Sequence, residues 1–216
     1  MGDQLKSITS VLLAGGKSRR MGRDKRFIEL DGRTLFERTL SVLERLFPEV
    51  VVVVAEGTPD LPKLAHHRVV LDIIPDCASL GGLYSGLFHA AQPRVFAVAC
   101  DMPFLNEAII RRMVELGAGA DVVMVKLATG VQPMHALYSK RCLPTMRRMI
   151  DAGNLKIQQL IEAPELQVRL VEEQEFQGTQ DQFLSFLNVN TPADLELARK
   201  LLAAMGGEEG PATLTL

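Results

Sequence analysis

Short apolar runs, rich in β-branched residues, alternate along this chain with longer stretches of helical periodicity. Residues 50–55 form an almost unbroken apolar run, which is typical of a strand that is covered on both faces. Over residues 34–47, Phe36, Leu40 and Leu43 recur at helical spacing, and Pro48 marks the end of that helix. This alternation predicts an α/β fold, a doubly wound and mostly parallel sheet with helices on both faces.

The length of 216 residues suits one α/β domain with a full-sized core. We therefore expect a single domain over residues 1–216, with a core at about 8–205 and a flexible tail at 206–216. Further strands are predicted at 10–14, 69–73, 95–100, 121–127, 134–138 and 185–189, and further helices at 83–91, at 106–116 with Asn106 as its cap, and from Thr191-Pro192 onward.

Charge and cysteine content exclude several classes of protein. The formal net charge of −2 gives no broad surface for nucleic acid or for a membrane, so an anion site has to be built from a few placed residues. Cys77, Cys100 and Cys142 form no CxxC pair, and we interpret them as buried, reduced thiols. No signal peptide or membrane-length apolar run is evident, and we expect a soluble, cytoplasmic protein.

The segment that follows the first predicted strand carries an anion-binding pattern. Gly15 and Gly16 let the backbone turn sharply and approach a ligand closely, and successive N–H groups in such a turn form an anion-binding concavity. The pattern favours polyphosphate binding over the alternative, a solvated basic loop, and it matches neither the Walker motif nor the dinucleotide fingerprint. The next nine positions carry the cationic residues Lys17, Arg19, Arg20, Arg23 and Lys25.

Carboxylates stand at the ends of two other predicted strands. Asp101 follows the strand at 95–100, at the edge where open α/β sheets bind ligands, and a hard carboxylate there suits Mg²⁺. The alternative is that Asp101 caps the following turn. Asp72 ends another strand in the same manner, and Gly81-Gly82 follows it, either as a ligand contact or as a tight turn into a helix.

Two amides and a histidine complete the candidate residues. Asn188 and Asn190 would share one side of a strand end, where they could read the edge of a heterocycle, although capping of the last helix explains Asn190 or Thr191 equally well. The four histidines have no metal-ligand spacing relative to the cysteines. We interpret His135 as a packed surface residue, with a position in the lining of a pocket as the alternative.

Taken in order, these segments resemble the molybdenum-cofactor guanylyltransferases, the MobA family of α/β nucleotidyltransferases. The matching segments are Leu-Ala-Gly-Gly at 13–16, Arg-Met-Gly at 20–22, Asp24-Lys25, Asp72, Leu-Gly-Gly-Leu at 80–83, Cys-Asp-Met-Pro at 100–103, Gln-Pro-Met-His-Ala at 132–136 and Asn-Val-Asn-Thr-Pro at 188–192.

The resemblance implies a Rossmann-like nucleotidyltransferase fold and the transfer of GMP from GTP to molybdopterin or Mo-molybdopterin, with release of pyrophosphate. It implies Mg²⁺ as the cofactor, held by Asp101 together with GTP, and Lys25 and Asp101 as the catalytic residues. Asn188 and Asn190 would lie near the acceptor or product, and other proteins of molybdenum-cofactor biosynthesis are candidate partners. The nucleotide-binding residues would be Leu13, Ala14, Gly15, Gly16, Lys17, Arg19, Arg20, Lys25, Asp72, Gly82 and Asp101.

The chain departs from the family pattern at two places, and alternatives to its activity stay open. Ala78-Ser79-Leu80 stands where the family often has Gly-Pro-Leu, and Val54-Ala55-Glu56 stands where an asparagine often binds the nucleotide. The alternatives are a cytidylyltransferase, another nucleotidyltransferase of the same superfamily, and a binding protein that senses a nucleotide without turnover.

Overall fold

The computed structural model describes residues 4–15, 25–58, 67–176 and 182–206. Its strands are β1 (Ile8–Leu13), β2 (Glu29–Leu30), β3 (Arg33–Thr34), β4 (Val50–Val54), β5 (His67–Leu71), β6 (Arg94–Ala99), β7 (Val122–Leu127), β8 (Gly130–Ser139) and β9 (Val168–Glu172). Its α-helices are α1 (Leu35–Leu46), α2 (Ala78–His89), α3 (Glu107–Leu116), α4 (Leu143–Asp151) and α5 (Pro192–Gly206). Short 3-10 helices lie at Gln4–Ser7, Lys25–Phe27, Lys140–Cys142, Ile157–Glu162, Glu173–Phe176 and Gln182–Phe186.

Seven strands form one sheet in the order β5-β4-β1-β6-β8-β7-β9, and β2 pairs with β3 in a short hairpin. In the seven-stranded sheet, β8 is antiparallel to both of its neighbours, whereas the other adjacent strands are parallel. The chain adds β4 and β5 on one side of β1 and then β6 on the other. The strand order therefore reverses at β1, and open α/β sheets bind ligands at the carboxyl ends of the strands beside such a reversal, here β1 and β6.

Helices cover both faces of the sheet, which confirms the predicted architecture. On one face, α1 and α3 contribute buried side chains such as Phe36 and Ile109. On the other face, α2 and α4 contribute Leu83 and Met146. All five residues of β4 are buried, which explains why residues 50–55 carry no polar alternation.

α2 lies unusually close to the sheet because it presents glycines to β1. A Cβ added at Gly86 would lie 2.3 Å from Cγ1 of Val11, and one added at Gly82 would lie 3.3 Å from Cδ2 of Leu13. Real Cβ atoms do not approach at the first of these distances, so Gly86 is required by close packing. This contact places the beginning of α2 beside the carboxyl edge of the sheet.

Some of the predicted boundaries of helices and strands agree with the structure, and others differ from it. The predicted cap at Asn106 is confirmed, since its side chain accepts from the N–H groups of Ala108 and Ile109. α2 begins at Ala78 rather than at residue 83. The strand predicted at 185–189 is wrong, because the 3-10 helix Gln182–Phe186 covers its beginning and the N–H of Leu187 donates within that local turn, to the carbonyl of Leu184 at 3.0 Å. Ser185 Oγ accepts from the backbone N–H of Asn106 at 3.0 Å.

No disulfide joins the three cysteines, all of which lie in the described part of the chain. The prediction of buried thiols is confirmed for Cys100 and Cys142, whereas Cys77 is half-buried at the beginning of α2. Burial raises the pKa of Cys142 to about 12, so this thiol stays protonated and unreactive at neutral pH. Among the described residues, no helix is both long enough and apolar enough to cross a membrane.

Candidate active site

Backbone hydrogen bonds join the carboxyl ends of β4, β1 and β6 into one continuous edge. The N–H of Ala14 donates to the carbonyl of Val53 at 2.9 Å, and the N–H of Cys100 donates to the carbonyl of Leu13 at 3.2 Å. These bonds extend the pairing one residue beyond the ends of β1 and β6. The first motif of the chain and the Cys100-Asp101 segment are therefore neighbours at the switch point of the sheet.

Asp101 stands at this edge on a backbone that is held from two sides. Its Oδ1 is buried from solvent, and its carbonyl accepts a hydrogen bond of 2.8 Å from the N–H of Val189. The next carbonyl, that of Met102, lies 3.2 Å from the hydroxyl of the fully buried Thr39 on α1. The main chain that carries the carboxylate is thus anchored both to α1 and to the C-terminal segment.

The C-terminal segment places the predicted amides beside Asp101. Val189 is fully buried in a small cluster with Leu30, Leu35 and other apolar residues, whereas Asn188 and Asn190 are half-buried. The segment is irregular rather than a strand end. Asp194 accepts the N–H of Asn190 at 2.9 Å, and so helps to begin α5 next to the site.

Asp72 lies one strand further along the same edge, and its carboxylate is held by the fold. Its N–H donates to the carbonyl of Val54 at 2.8 Å, which extends the pairing of β5 with β4. Its Oδ1 accepts from the N–H of Ile74 at 3.0 Å and from the hydroxyl of Ser85 at 2.8 Å. Asp72 is therefore a half-buried carboxylate with a restrained orientation.

The two glycines at the beginning of α2 have different positions. A Cβ added at Gly81 would lie 2.5 Å from the carbonyl oxygen of Ile74 and 3.3 Å from Oδ2 of Asp72, so only glycine fits beneath the loop after β5. Gly82 instead faces Leu13 and Val53. Its predicted role in nucleotide binding stays a prediction, but packing against the sheet already accounts for a glycine there.

The remaining predicted residues lie at the limit of the described chain. Gly15 follows β1 directly, and Lys25 begins the 3-10 helix Lys25–Phe27, which packs against α1. The side chain of Lys25 lies outside the described part of the structure, as do Gly16, Lys17, Arg19 and Arg20. The roles of these five residues stay predictions.

The interpretation of His135 as a surface residue is wrong. Its side chain is fully buried on β8, between the ring of Phe96 at 5.1 Å and that of Phe186 at 4.5 Å, centroid to centroid. Neither ring nitrogen has a hydrogen-bond partner in the described structure. This desolvation lowers the pKa of His135 to about 3, so the imidazole is neutral. Position on an internal strand, rather than residue type, determined its burial.

The donor set at the edge fits a divalent ion shared with a ligand. The described residues contain no group of three or more His, Cys, Asp or Glu side chains that could hold a metal alone. A single carboxylate such as Asp101, completed by phosphate oxygens and water, is the arrangement that Mg²⁺ favours in nucleotide sites. The site is thus compatible with a metal that arrives with its nucleotide.

Comparison with known proteins identifies the family that contains this edge of the sheet. Residues 10–170 match the family described as the MobA-like NTP transferase domain. The chain belongs to this family. The part matched by the MobA-like family contains Leu13, Asp72 and Asp101, whereas Asn188 and Asn190 lie beyond it.

MobA-like relatives extend over nearly the whole chain. A probable molybdenum cofactor guanylyltransferase from Pelotomaculum thermopropionicum is 35% identical over 191 residues, which cover 88% of this chain and 91% of the relative. A molybdenum cofactor guanylyltransferase from Desulfosudis oleivorans is 33% identical, with 92% and 97% covered. The crystal structure of molybdopterin-guanine dinucleotide biosynthesis protein A from Archaeoglobus fulgidus has a TM-score of 0.78 at 25% identity, with 92% and 100% covered.

Two features of this MobA-like site were missed at the level of sequence. Ala78, which stands where the family often has glycine, adopts φ +50°, and Asp76 adopts φ +62°. The hydroxyl of Ser85 contacts Asp72 from within α2. A serine on the otherwise apolar and glycine-rich inner face of a helix is the signal that could have pointed to this contact.

Proposed function

We propose that this MobA-like protein transfers GMP from GTP to the terminal phosphate of molybdopterin, in its free or molybdenum-bound form, and releases pyrophosphate. The observation that carries the proposal is the shared carboxyl edge of the sheet, where Leu13 ends β1 and Asp101 follows β6 at the switch point, with Asp72 after β5 further along the same edge. The guanylyltransferases to which the chain is 33–35% identical support the choice of donor and acceptor.

The reaction requires no covalent participation from the protein. A terminal phosphate oxygen of molybdopterin attacks the α-phosphorus of GTP. The bond from that phosphorus to the oxygen that bridges to the β-phosphate breaks, and pyrophosphate leaves with the electron pair. The protein contributes position and charge, which is how phosphoryl-transfer sites obtain most of their rate.

Each predicted residue would have one part in this transfer. Lys25 would stabilise negative charge at the α-phosphate, and the backbone of residues 15–20 would hold the departing pyrophosphate. Asp101 would hold Mg²⁺ with the nucleotide, and the ion would offset charge on the phosphate oxygens. Asn188, beside the backbone of Asp101, would contact the acceptor or product.

Pyrophosphate release tests the proposal directly. Purified protein is incubated with Mg²⁺, molybdopterin and GTP, CTP, ATP or UTP in turn, with a parallel set that lacks molybdopterin. Release with GTP that depends on molybdopterin is the expected result. Release with CTP instead would assign the protein to cytidylyl transfer, and no release with any nucleotide would favour a binding protein and overturn the proposed activity.

A further inference from the structure

We infer that Ser85 is a positioning residue for the nucleotide: its buried hydroxyl holds the carboxylate of Asp72 so that a single oxygen, Oδ2, remains to accept a hydrogen bond from the nucleoside part of the donor. This inference rests on the proposed function and specifies how that same site recognises its donor. It assigns a role to a residue on α2 that lies beneath the ligand edge.

The hydroxyl of Ser85 is the junction between α2 and the loop after β5. Ser85 is fully buried, and its Oγ lies 2.8 Å from Oδ1 of Asp72 and 2.9 Å from the carbonyl of Gly81. It also accepts from the N–H of Ile73 at 3.0 Å. A hydroxyl has one proton, and the ionised carboxylate is the stronger of the two acceptors. The proton therefore belongs mainly to the bond with Asp72.

The two oxygens of Asp72 are not equivalent. Oδ1 accepts from both Ser85 and the N–H of Ile74, whereas no hydrogen bond from a described residue reaches Oδ2. A ligand at this half-buried carboxylate would therefore meet Oδ2 as the available acceptor. A carboxylate repels phosphate oxygens, so the group that it accepts from is a hydroxyl or N–H of the nucleoside rather than the triphosphate.

Close packing of α2 makes this contact specific to a small hydroxyl residue. Gly81 leaves no room for a Cβ beneath Ile74, and Gly86 brings the helix directly against Val11. Ser85 lies between these two close contacts along the helix. Without its hydroxyl, the carboxylate of Asp72 loses one of its two restraints and the N–H of Ile73 loses its acceptor.

The chain contains a matched pair at the other end of the sheet. Ser139 is buried, and its hydroxyl donates to Oδ1 of the buried Asp121 at 2.7 Å. Its own oxygen accepts from the N–H of Arg141 at 3.2 Å. Ser139 pairs with Arg94 at the amino end of β6, away from the ligand edge. Ser139→Ala therefore removes a similar bond without touching the proposed site.

The test is calorimetric titration of Mg²⁺-GTP into the full chain and four variants: Ser85→Ala, Asp72→Ala, the double variant and Ser139→Ala. Ser85→Ala is expected to weaken GTP binding by ~10-fold, and Asp72→Ala by ~10-fold or more. The double variant should bind like Asp72→Ala alone, because Ser85 acts through Asp72. Ser139→Ala should lower the Tm and leave the Kd for GTP unchanged.

Three results separate the inference from the proposed function. If Ser85→Ala binds GTP as the unaltered protein does, or weakens binding equally in the Asp72→Ala background, the positioning role is overturned while the proposed function stands. If the unaltered protein binds no nucleoside triphosphate, both are overturned. Should Ser85→Ala fail to fold, Ser85→Cys keeps a similar size with a weaker donor, and it is expected to weaken binding in the same direction.

Discussion

The backbone N–H of Val189 donates a hydrogen bond of 2.8 Å to the carbonyl of Asp101. Val189 is fully buried, so the bond is shielded from water, and bonds in such surroundings are electrostatically stronger than exposed ones. It joins the backbone of Asp101, whose carboxylate we assign to the metal, to a segment outside the part matched by the family, residues 10–170. The C-terminal segment is therefore a structural component of the site.

Removing this bond should impair the metal site more than it impairs the fold. Val189→Pro lacks the N–H and leaves the carbonyl of Asp101 unpaired, which costs about 1–3 kcal/mol and shifts the backbone that carries the carboxylate. We therefore expect a kcat lower by ~10-fold and a higher Mg²⁺ concentration for half-maximal rate. Val189→Ala keeps the N–H and should lower only the free energy of unfolding, by about 1–3 kcal/mol. Mg²⁺ titrations of the rate, with thermal unfolding in parallel, check both variants. Equal Mg²⁺ requirements in the two variants would contradict the assignment.

Loss of charge at the proposed catalytic residues should abolish most turnover while the protein stays folded. We expect Asp101→Asn and Lys25→Ala each to lower kcat by ~10²-fold or more, because electrostatic contacts to the developing charge are typically worth about 3–4 kcal/mol. Lys156→Ala, at an exposed lysine that directly precedes the 3-10 helix Ile157–Glu162, is the matched control and should retain full activity. Pyrophosphate release and circular dichroism measure the two properties. A folded variant at either position with near-full turnover would defeat the assignment.

The buried His135 should make stability depend on pH. Its pKa in the folded protein is lowered to about 3 from the ordinary 6.5. As the pH falls through this interval, the unfolded chain takes up a proton that the folded chain does not. The free energy of unfolding should therefore decrease with falling pH between 6.5 and about 3, with a contribution of up to about 1.4 kcal/mol per pH unit from this residue.

Two substitutions separate the titration of His135 from its burial. His135→Leu has about the same volume and no polar atoms, so it should flatten this part of the pH dependence and raise stability at pH 7 by about 1–3 kcal/mol. His135→Gln should flatten the same slope without that gain, because a buried amide is also left unpaired. Denaturant unfolding at several pH values is the measurement. A slope that survives both substitutions would show that other groups cause it.

Ala78 should be a site where glycine stabilises the protein. Its φ of +50° costs an alanine about 1–2 kcal/mol, whereas glycine adopts this conformation without strain and loses about 0.5–1 kcal/mol of chain entropy. We expect Ala78→Gly to raise the free energy of unfolding by up to about 1 kcal/mol. Ala152→Gly is the control, since the exposed Ala152 is the C-cap of α4 with φ −84°, and glycine there should be destabilising. Chemical denaturation of both variants is the measurement. If Ala78→Gly were less stable than the unaltered protein, Ala78 would not be strained.

Local patterns in the sequence predicted the architecture and most of the site's location. An unbroken apolar run such as residues 50–55 has to be covered on both faces, and this requirement is visible without knowing the partners. The cap at Asn106 acts within its own helix, so the sequence predicts it without knowledge of distant contacts. Asp72 and Asp101 follow parallel strands, and the carboxyl ends of such strands meet at one edge wherever the sheet forms.

Contacts between distant elements could only come from the folded structure. The bond between Ser85 and Asp72 depends on how closely α2 lies against β1, and the bond between Val189 and Asp101 depends on where the C-terminal segment packs. In the sequence, His135 looks like a polar surface residue. It is buried because β8 is an internal strand and because the rings of Phe96 and Phe186 enclose it. Periodicity reports which face of an element is apolar, whereas the distance and identity of the facing element are set by the packing of the whole chain.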